Sequence, residues 1–314
     1  TPNPKPQTPN PKPQTPRDRY MQQNSEPTLK EIAAKYSTFI FDCDGVLYKG
    51  KSKIPHSFEF LQYLSSQNKK IIFLTNNSLF TRQDLADKLF EVGGFKADLD
   101  AIYTASYIAA KYLKEYHPDQ KKVYALGRPL LAEELTQQGF NVLPSGDHDT
   151  KFNEFRFDTK GGVDFHDVDT VVSAYDDNFN YYKLVFASMC IQNGAVFLAT
   201  NYDHNTASGS YPGFMVPGNG AFVKAIETAS DKKATITGKP NPKVMDLISS
   251  NHSISKSSVL FIGDNLFTDI KFSNNSGVDC LLVLTGVTDR ELLEKKGNDE
   301  EAGKPTYIKD DLAL

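Results

Sequence analysis

Short apolar runs that stop abruptly at polar clusters punctuate this chain. Thr38-Phe39-Ile40-Phe41 runs into Asp42-Cys43-Asp44-Gly45, Lys70-Ile71-Ile72-Phe73-Leu74 into Thr75-Asn76-Asn77-Ser78, and Ser258-Val259-Leu260-Phe261-Ile262 into Gly263-Asp264-Asn265. Runs this short, apolar at consecutive positions and rich in β-branched and aromatic residues, predict strands of a parallel sheet covered on both faces. Between them, apolar residues at 58, 60, 61 and 64, and again at 85, 89 and 90, predict helices over Ser57–Gln67 and Arg82–Glu91. Thr28–Ala33 reads as a short helix before the first strand, and Ile102–Tyr116 as a single helix capped by Thr104 or Ser106. Strand, polar loop and helix in succession form βα units, which gather the polar loops at the C-terminal edge of the sheet.

From about Lys121 to Lys232 a second αβ series follows, with strands at Val123–Leu126, Asn141–Leu143, Asp169–Ala174 and Ala195–Ala199. Its helices are predicted at Leu130–Gln138 and Tyr181–Gln192; residues 144–168 read as a hairpin or exposed loop, and His204–Gly220 as a loop without periodicity. The strand-then-acid pattern resumes only afterwards, with Ala234–Thr237 delivering Lys239 and the Val259 run delivering Asp264. The expected class is therefore α/β, a Rossmann-like parallel-sheet core with an inserted αβ domain. The expected division is a tail at 1–26, a discontinuous core at 27–117 and 234–314, and an insertion at 118–233.

A length of 314 residues agrees with two domains or one carrying an insertion. The net charge of -4 offers no global basic field for nucleic acid or an anionic membrane. No run approaches the ~18 apolar residues of a membrane span, and the first residues lack the apolar segment of a signal peptide. Cys43, Cys190 and Cys280 are an odd, scattered set in apolar settings, which predicts buried thiols and a reducing compartment, the cytoplasm. The heptad TPNPKPQ occurs twice at the start, and seven of the 17 prolines precede position 17. Such a segment has little to bury, so it is expected to be extended or disordered, without a catalytic role.

The chemistry concentrates at the loops. Residues i and i+2 of an extended chain share a face, so Asp42 and Asp44 project together while Cys43 points into the core. Two adjacent carboxylates repel, and either one is protonated or a cation lies between them. An acidic turn without chemistry explains this stretch alone equally well. Read with the other loops, Asp42 and Asp264, together with the backbone carbonyl of Asp44, form an oxygen-ligand set suited to Mg²⁺. Thr75 offers a hydroxyl and a backbone N–H to a phosphate oxygen near a helix N-terminus, and Lys239 would offset phosphoryl charge. Asp42 would then attack phosphorus, with Asp44 protonating the leaving oxygen and later deprotonating water. Gly238-Lys239 is followed by proline, so it is not a P-loop, and Gly218-Asn219-Gly220 lacks the third glycine of a dinucleotide site.

The ordered segments DCDGVLYKG, LTNNS, TGKPNP and GDNLFTD resemble the four motifs of the haloacid dehalogenase superfamily of aspartate-nucleophile phosphatases. The resemblance extends over most of residues 38–290 and is closest to the branch of 4-nitrophenyl, phosphoglycolate and pyridoxal phosphatases, whose insertion is a large αβ cap. It implies Asp42 as nucleophile, Asp44 as acid/base, Thr75 and Lys239 as phosphate binders, and Asp264 as a metal ligand; Asn76, next to Thr75, is near enough in sequence to touch the phosphate as well. It also implies Asp269 and Asn265 as supports behind that ligand, with His204 in the position of the cap's substrate-reading loop. Ser173-Ala174-Tyr175-Asp176 departs from the usual glycine and aromatic before the aspartate. The expected activity is Mg²⁺-dependent hydrolysis of a small phosphorylated metabolite, phosphoglycolate or a similar 2-phospho acid, with pyridoxal 5'-phosphate as the alternative. The expectations include no nucleic acid, no membrane and room for a homodimer through the cap. A dehalogenase needs no acid at Asp44, the large insertion disfavours a phosphomutase, and an ion-pumping ATPase needs membrane spans. A catalytically silent binding protein is disfavoured by the intact Asp42, Asp44, Lys239 and Asp264.

Overall fold

Phe39 and Phe41 face one side of their strand and Ile40 the other, and all three are fully buried. That two-sided burial holds for the central strands of the first sheet in a computed structural model that describes residues 27–148, 164–207 and 214–314. The proline-rich segment and most of the polar stretch expected between 144 and 168 lie outside the described residues. In chain order the sheet strands are β1 (Thr38–Phe41), β2 (Lys70–Leu74), β3 (Ile102–Tyr103), β4 (Lys122–Leu126), β5 (Asn141–Pro144) and β6 (Thr170–Ser173). They continue with β7 (Val196–Ala199), β8 (Thr235–Ile236), β9 (Val259–Gly263), β10 (Asp279–Val283) and β11 (Tyr307–Lys309).

Two parallel sheets result, one ordered β11-β10-β9-β1-β2-β3 and the other β8-β7-β6-β4-β5. On one face of the first sheet Phe39, Phe41 and Phe73 pack against Leu61 and Leu85 from the helices Ser57–Ser66 and Arg82–Gly93. On the other, Ile40, Ile72 and Phe261 pack against Ile108, Val244 and Phe272. Each such side chain contributes about 1.5–3 kcal/mol through burial, enough to fix the strands that carry the polar loops.

Three expectations are corrected. Ile102 and Tyr103 are not helical; they pair with Phe73 and Leu74 as the edge strand, and the helix begins at Ala105 with Thr104 at its N-cap position. A helix-compatible sequence is overruled here by the open edge of β2. Thr235–Ile236 was expected in the core, beyond a boundary at 234, yet it pairs with Leu198 and Ala199 at the edge of the second sheet. A two-residue strand carries too little pattern to reveal its partner. The segment taken as an aperiodic loop from His204 contains an antiparallel ribbon, Asn205–Ala207 with Met215–Pro217, and then a helix, Asn219–Ser230; residues 208–213 between the ribbon strands lie outside the described residues.

The helix Ala105–Tyr116 joins the two sheets. Tyr107 and Ile108 belong to the first core, while Ala109, Ala110 and Leu113 pack with Val123, Leu131 and Leu198 of the second. Loops from the C-terminal ends of both sheets consequently meet: Asn201 Nδ2, beyond β7, donates to the carbonyl of Asn76, beyond β2, at 2.9 Å. The backbone N–H of Tyr175 donates to Ser78 Oγ at 3.4 Å. Among the described residues no helix is long and apolar enough to cross a membrane, and the three cysteines are free and buried.

Candidate active site

β1 ends at Phe41, and the Asp42 N–H still donates to Ile262 O at 2.9 Å, so the carboxylate leaves the sheet from a rigid base. Lys239, delivered just beyond β8, places Nζ 2.5 Å from Asp42 Oδ1, 2.7 Å from Asp269 Oδ1 and 3.2 Å from Leu74 O. Lys239 is 2 % exposed and Asp42 7 %. Burial works against the lysine's charge, but Asp269 and Asp42 overcome it and hold its pKa above the ordinary value. Its cationic form therefore persists in the pocket.

The Asp264 loop is built by Asp269, whose Oδ2 accepts from the N–H groups of Asp264 and Asn265, each at 3.1 Å. The Asn265 side chain in turn accepts from Phe267 N at 2.9 Å, closing the turn after β9. A strap formed by Thr285-Gly286-Val287-Thr288 passes over this loop. Val287 N donates to Asp264 Oδ2 at 2.5 Å, Thr288 N donates to Asp264 O at 2.9 Å, and Thr285 Oγ1 donates to Gly45 O at 2.6 Å. The approach demands glycine: a Cβ on Gly286 would sit 1.8 Å from Asp264 Oδ2. Gly45 has φ +87°, the left-handed region that favours glycine, which lets the chain turn away from Asp44.

Oxygen atoms of Asp42, Asp264 and Asp269 lie within 4.8 Å of one another, all buried. Burial pushes the Asp42 carboxyl well above its usual range; Lys239 opposes this, and Asp269 and Asp264 reinforce it. Burial and then Asp269 push Asp264 up to about 7. Three carboxylates against one ammonium leave excess negative charge, and the donors are hard oxygens, which is the chemistry that suits Mg²⁺. Asp269 is already engaged by two N–H groups and by Lys239, so Asp42 and Asp264 are the carboxylates of the cluster that fit the ion.

Other expected residues are placed differently. Thr75 is buried beside the cluster's strand, but its N–H donates to Tyr103 O at 3.0 Å in the β2–β3 pair. Its hydroxyl, which accepts from Asn77 N at 3.1 Å, is what remains for a phosphate oxygen. Asn76 was expected to touch phosphate; instead its side chain clamps the lysine's backbone, accepting from Lys239 N at 2.9 Å and donating to Lys239 O at 3.1 Å. The Asp44 side chain is exposed at the opening, with Asn77 Nδ2 3.4 Å away. His204 is exposed, its ring 6.0 Å from that of Tyr202, with no hydrogen bond or ion pair to Asp42, Lys239 or Asp264 among the described residues. Asp203, beside it, was not singled out; burial raises its carboxyl while Lys239 opposes. The glycine between Thr285 and Val287 is the sequence signal for the strap's close approach.

A family model described as haloacid dehalogenase-like hydrolase matches residues 39–141, and a HAD-hydrolase-like model matches 236–314. Phosphoglycolate phosphatase 2 of Arabidopsis thaliana is 34% identical over 296 residues, covering 92% of this chain and 96% of that protein. The crystal structure of a 4-nitrophenylphosphatase from Thermotoga maritima superposes with a TM-score of 0.75 at 31% identity, over 90% of this chain and 96% of its own. A glycerol phosphate phosphatase from Mycobacterium tuberculosis, solved in complex with magnesium, reaches a TM-score of 0.73 at 27% identity, over 90% of this chain and 77% of its own. These likenesses join buried carboxylates of a parallel-sheet core that meet a lysine delivered from the second sheet, and the chain belongs to the haloacid dehalogenase-like hydrolases, among their phosphatases.

Proposed function

We propose that the protein is a Mg²⁺-dependent phosphomonoesterase for small metabolites, with phosphoglycolate or a similar 2-phospho acid as substrate and 4-nitrophenyl phosphate as a model substrate. The observation that carries this is the buried Asp42 at 2.5 Å from Lys239, with Asp264 and Asp269 gathered beside it. Asp42 Oδ attacks phosphorus, the ester P–O bond breaks, and Asp44 gives its proton to the departing oxygen. Water then attacks the aspartyl-phosphate, Asp44 takes the water's proton, and the bond to Asp42 breaks to release inorganic phosphate. Mg²⁺, held by Asp42, Asp264 and the Asp44 carbonyl, would neutralise phosphoryl charge so that a carboxylate can approach. Lys239 holds Asp42 in place and faces the same charge, and the Thr75 hydroxyl donates to a phosphoryl oxygen.

The substrate class is supported by the relative named phosphoglycolate phosphatase. Comparing kcat/KM for phosphoglycolate, phospholactate, glycerol phosphate and pyridoxal 5'-phosphate tests it. Phosphoglycolate or phospholactate should lead; pyridoxal 5'-phosphate in first place would transfer the assignment to the alternative. Three buried free thiols support a reducing compartment, the cytoplasm. Exposed Phe214 and Met215 on the inserted ribbon support a homodimer through the cap, which sedimentation would detect.

A further inference from the structure

Three buried side-chain amides connect the second sheet to Lys239. Asn219, the first residue of its helix, donates from Nδ2 to Asn201 O at 3.0 Å and to Ser173 O at 3.3 Å, while its Oδ1 accepts from Ser173 Oγ at 3.0 Å. Asn201 in turn donates from Nδ2 to Asn76 O at 2.9 Å and accepts at Oδ1 from Asp203 N at 3.2 Å. Asn76 closes the chain by clamping both backbone polar groups of Lys239, and Gly238 N donates to Thr200 O at 3.0 Å on the other side of the lysine. Asn76, Asn201 and Asn219 are 8 %, 4 % and 2 % exposed, so water cannot replace a lost partner. An amide reads direction as well as presence, because its donor and acceptor ends cannot be exchanged without facing like against like.

We propose that Asn201 is a positioning residue for the phosphate-binding groups. Through Asn76 it sets both the turn carrying Thr75 and the backbone from which Lys239 reaches Asp42, so the inserted domain orients the catalytic loop as well as covering it. The shared helix Ala105–Tyr116 keeps the two sheets packed while this link operates. The inference rests on the phosphatase reading but has a readout separate from turnover.

Asn201→Asp keeps the shape and removes the donor, turning a carboxylate oxygen toward the Asn76 carbonyl. Its kcat for 4-nitrophenyl phosphate should fall at least tenfold, and the dissociation constant of inorganic phosphate measured by calorimetry with Mg²⁺ present should rise about tenfold. Phe186→Leu in the second core, expected to lower the melting temperature through lost packing, is the control for stability and should leave both values unchanged. Asn201→Ser, shorter and uncharged, should lose both properties in the same direction and serves if the aspartate variant does not fold. Asn201 variants that melt like the control and keep kcat and phosphate affinity within twofold of wild type would overturn the proposal. A wild type without turnover would count against the phosphatase reading alone, since the phosphate-affinity comparison still decides the role of Asn201.

Discussion

Lys239 Nζ lies 2.5 Å from Asp42 Oδ1, although the lysine follows a strand of the second sheet and the aspartate a strand of the first. The pocket is therefore assembled across the junction of the two sheets, and its charge balance depends on both.

Removing the lysine leaves three carboxylates without a cation. Lys239→Ala should lose about 3–5 kcal/mol of stability, the usual effect of breaking a buried pair. Urea denaturation should show a larger loss at pH 8 than at pH 5, because protonation relieves the remaining repulsion. An equal loss at both pH values would argue that the lysine acts through packing.

The metal-free protein should show a particular pH dependence. Burial raises Asp264 from 3.8 to about 7 and raises Asp42 as well, so the folded state holds protons that the unfolded chain has released. Stability from these groups is present below 3.8 and is lost as pH rises through about 7. Calorimetric melting in chelator should fall across that window, with a shallower fall in Asp264→Asn. Mg²⁺ binds the folded state, so it should raise the melting temperature more at pH 8 than at pH 5; equal increments would contradict the assignment of the ligands.

Gly286→Ala puts a methyl group 1.8 Å from Asp264 Oδ2, and the strap or the carboxylate has to shift. A stability loss of about 1–3 kcal/mol is expected from overpacking. Calorimetric titration should also show Mg²⁺ affinity reduced by about tenfold, or about 1.4 kcal/mol. Unchanged affinity would mean that the strap does not orient Asp264.

Thr75→Ser keeps the hydroxyl and Thr75→Val removes it, while both retain the N–H that pairs with Tyr103. The serine variant should keep activity within severalfold. The valine variant should lose about tenfold or more in kcat/KM, consistent with one lost hydrogen bond to a charged group. Equal activities would transfer the phosphate contact to another donor.

Much of this was legible along the chain. Consecutive apolar residues in β1, β2 and β9 announced strands buried on both faces, and the acids and threonine at their ends announced the loop edge. What escaped depends on partners distant in sequence. Ile102 and Tyr103 look helical until β2 offers them an edge, and Thr235 and Ile236 are too few to show which sheet they join. The Thr75 N–H looks free for a ligand in its own stretch, but Tyr103 O, on a neighbouring strand, accepts it. Nothing in Asn76's own stretch shows that its side chain clamps Lys239, which lies far along the chain.

The central claim is tested most directly by Mg²⁺-dependent hydrolysis of 4-nitrophenyl phosphate in wild type and Asp42→Asn. The isosteric amide removes the attacking oxygen's charge with little change of shape, so the wild type should turn over and the variant should retain less than about one thousandth of its kcat. Equal rates in the two proteins would contradict Asp42 as the nucleophile.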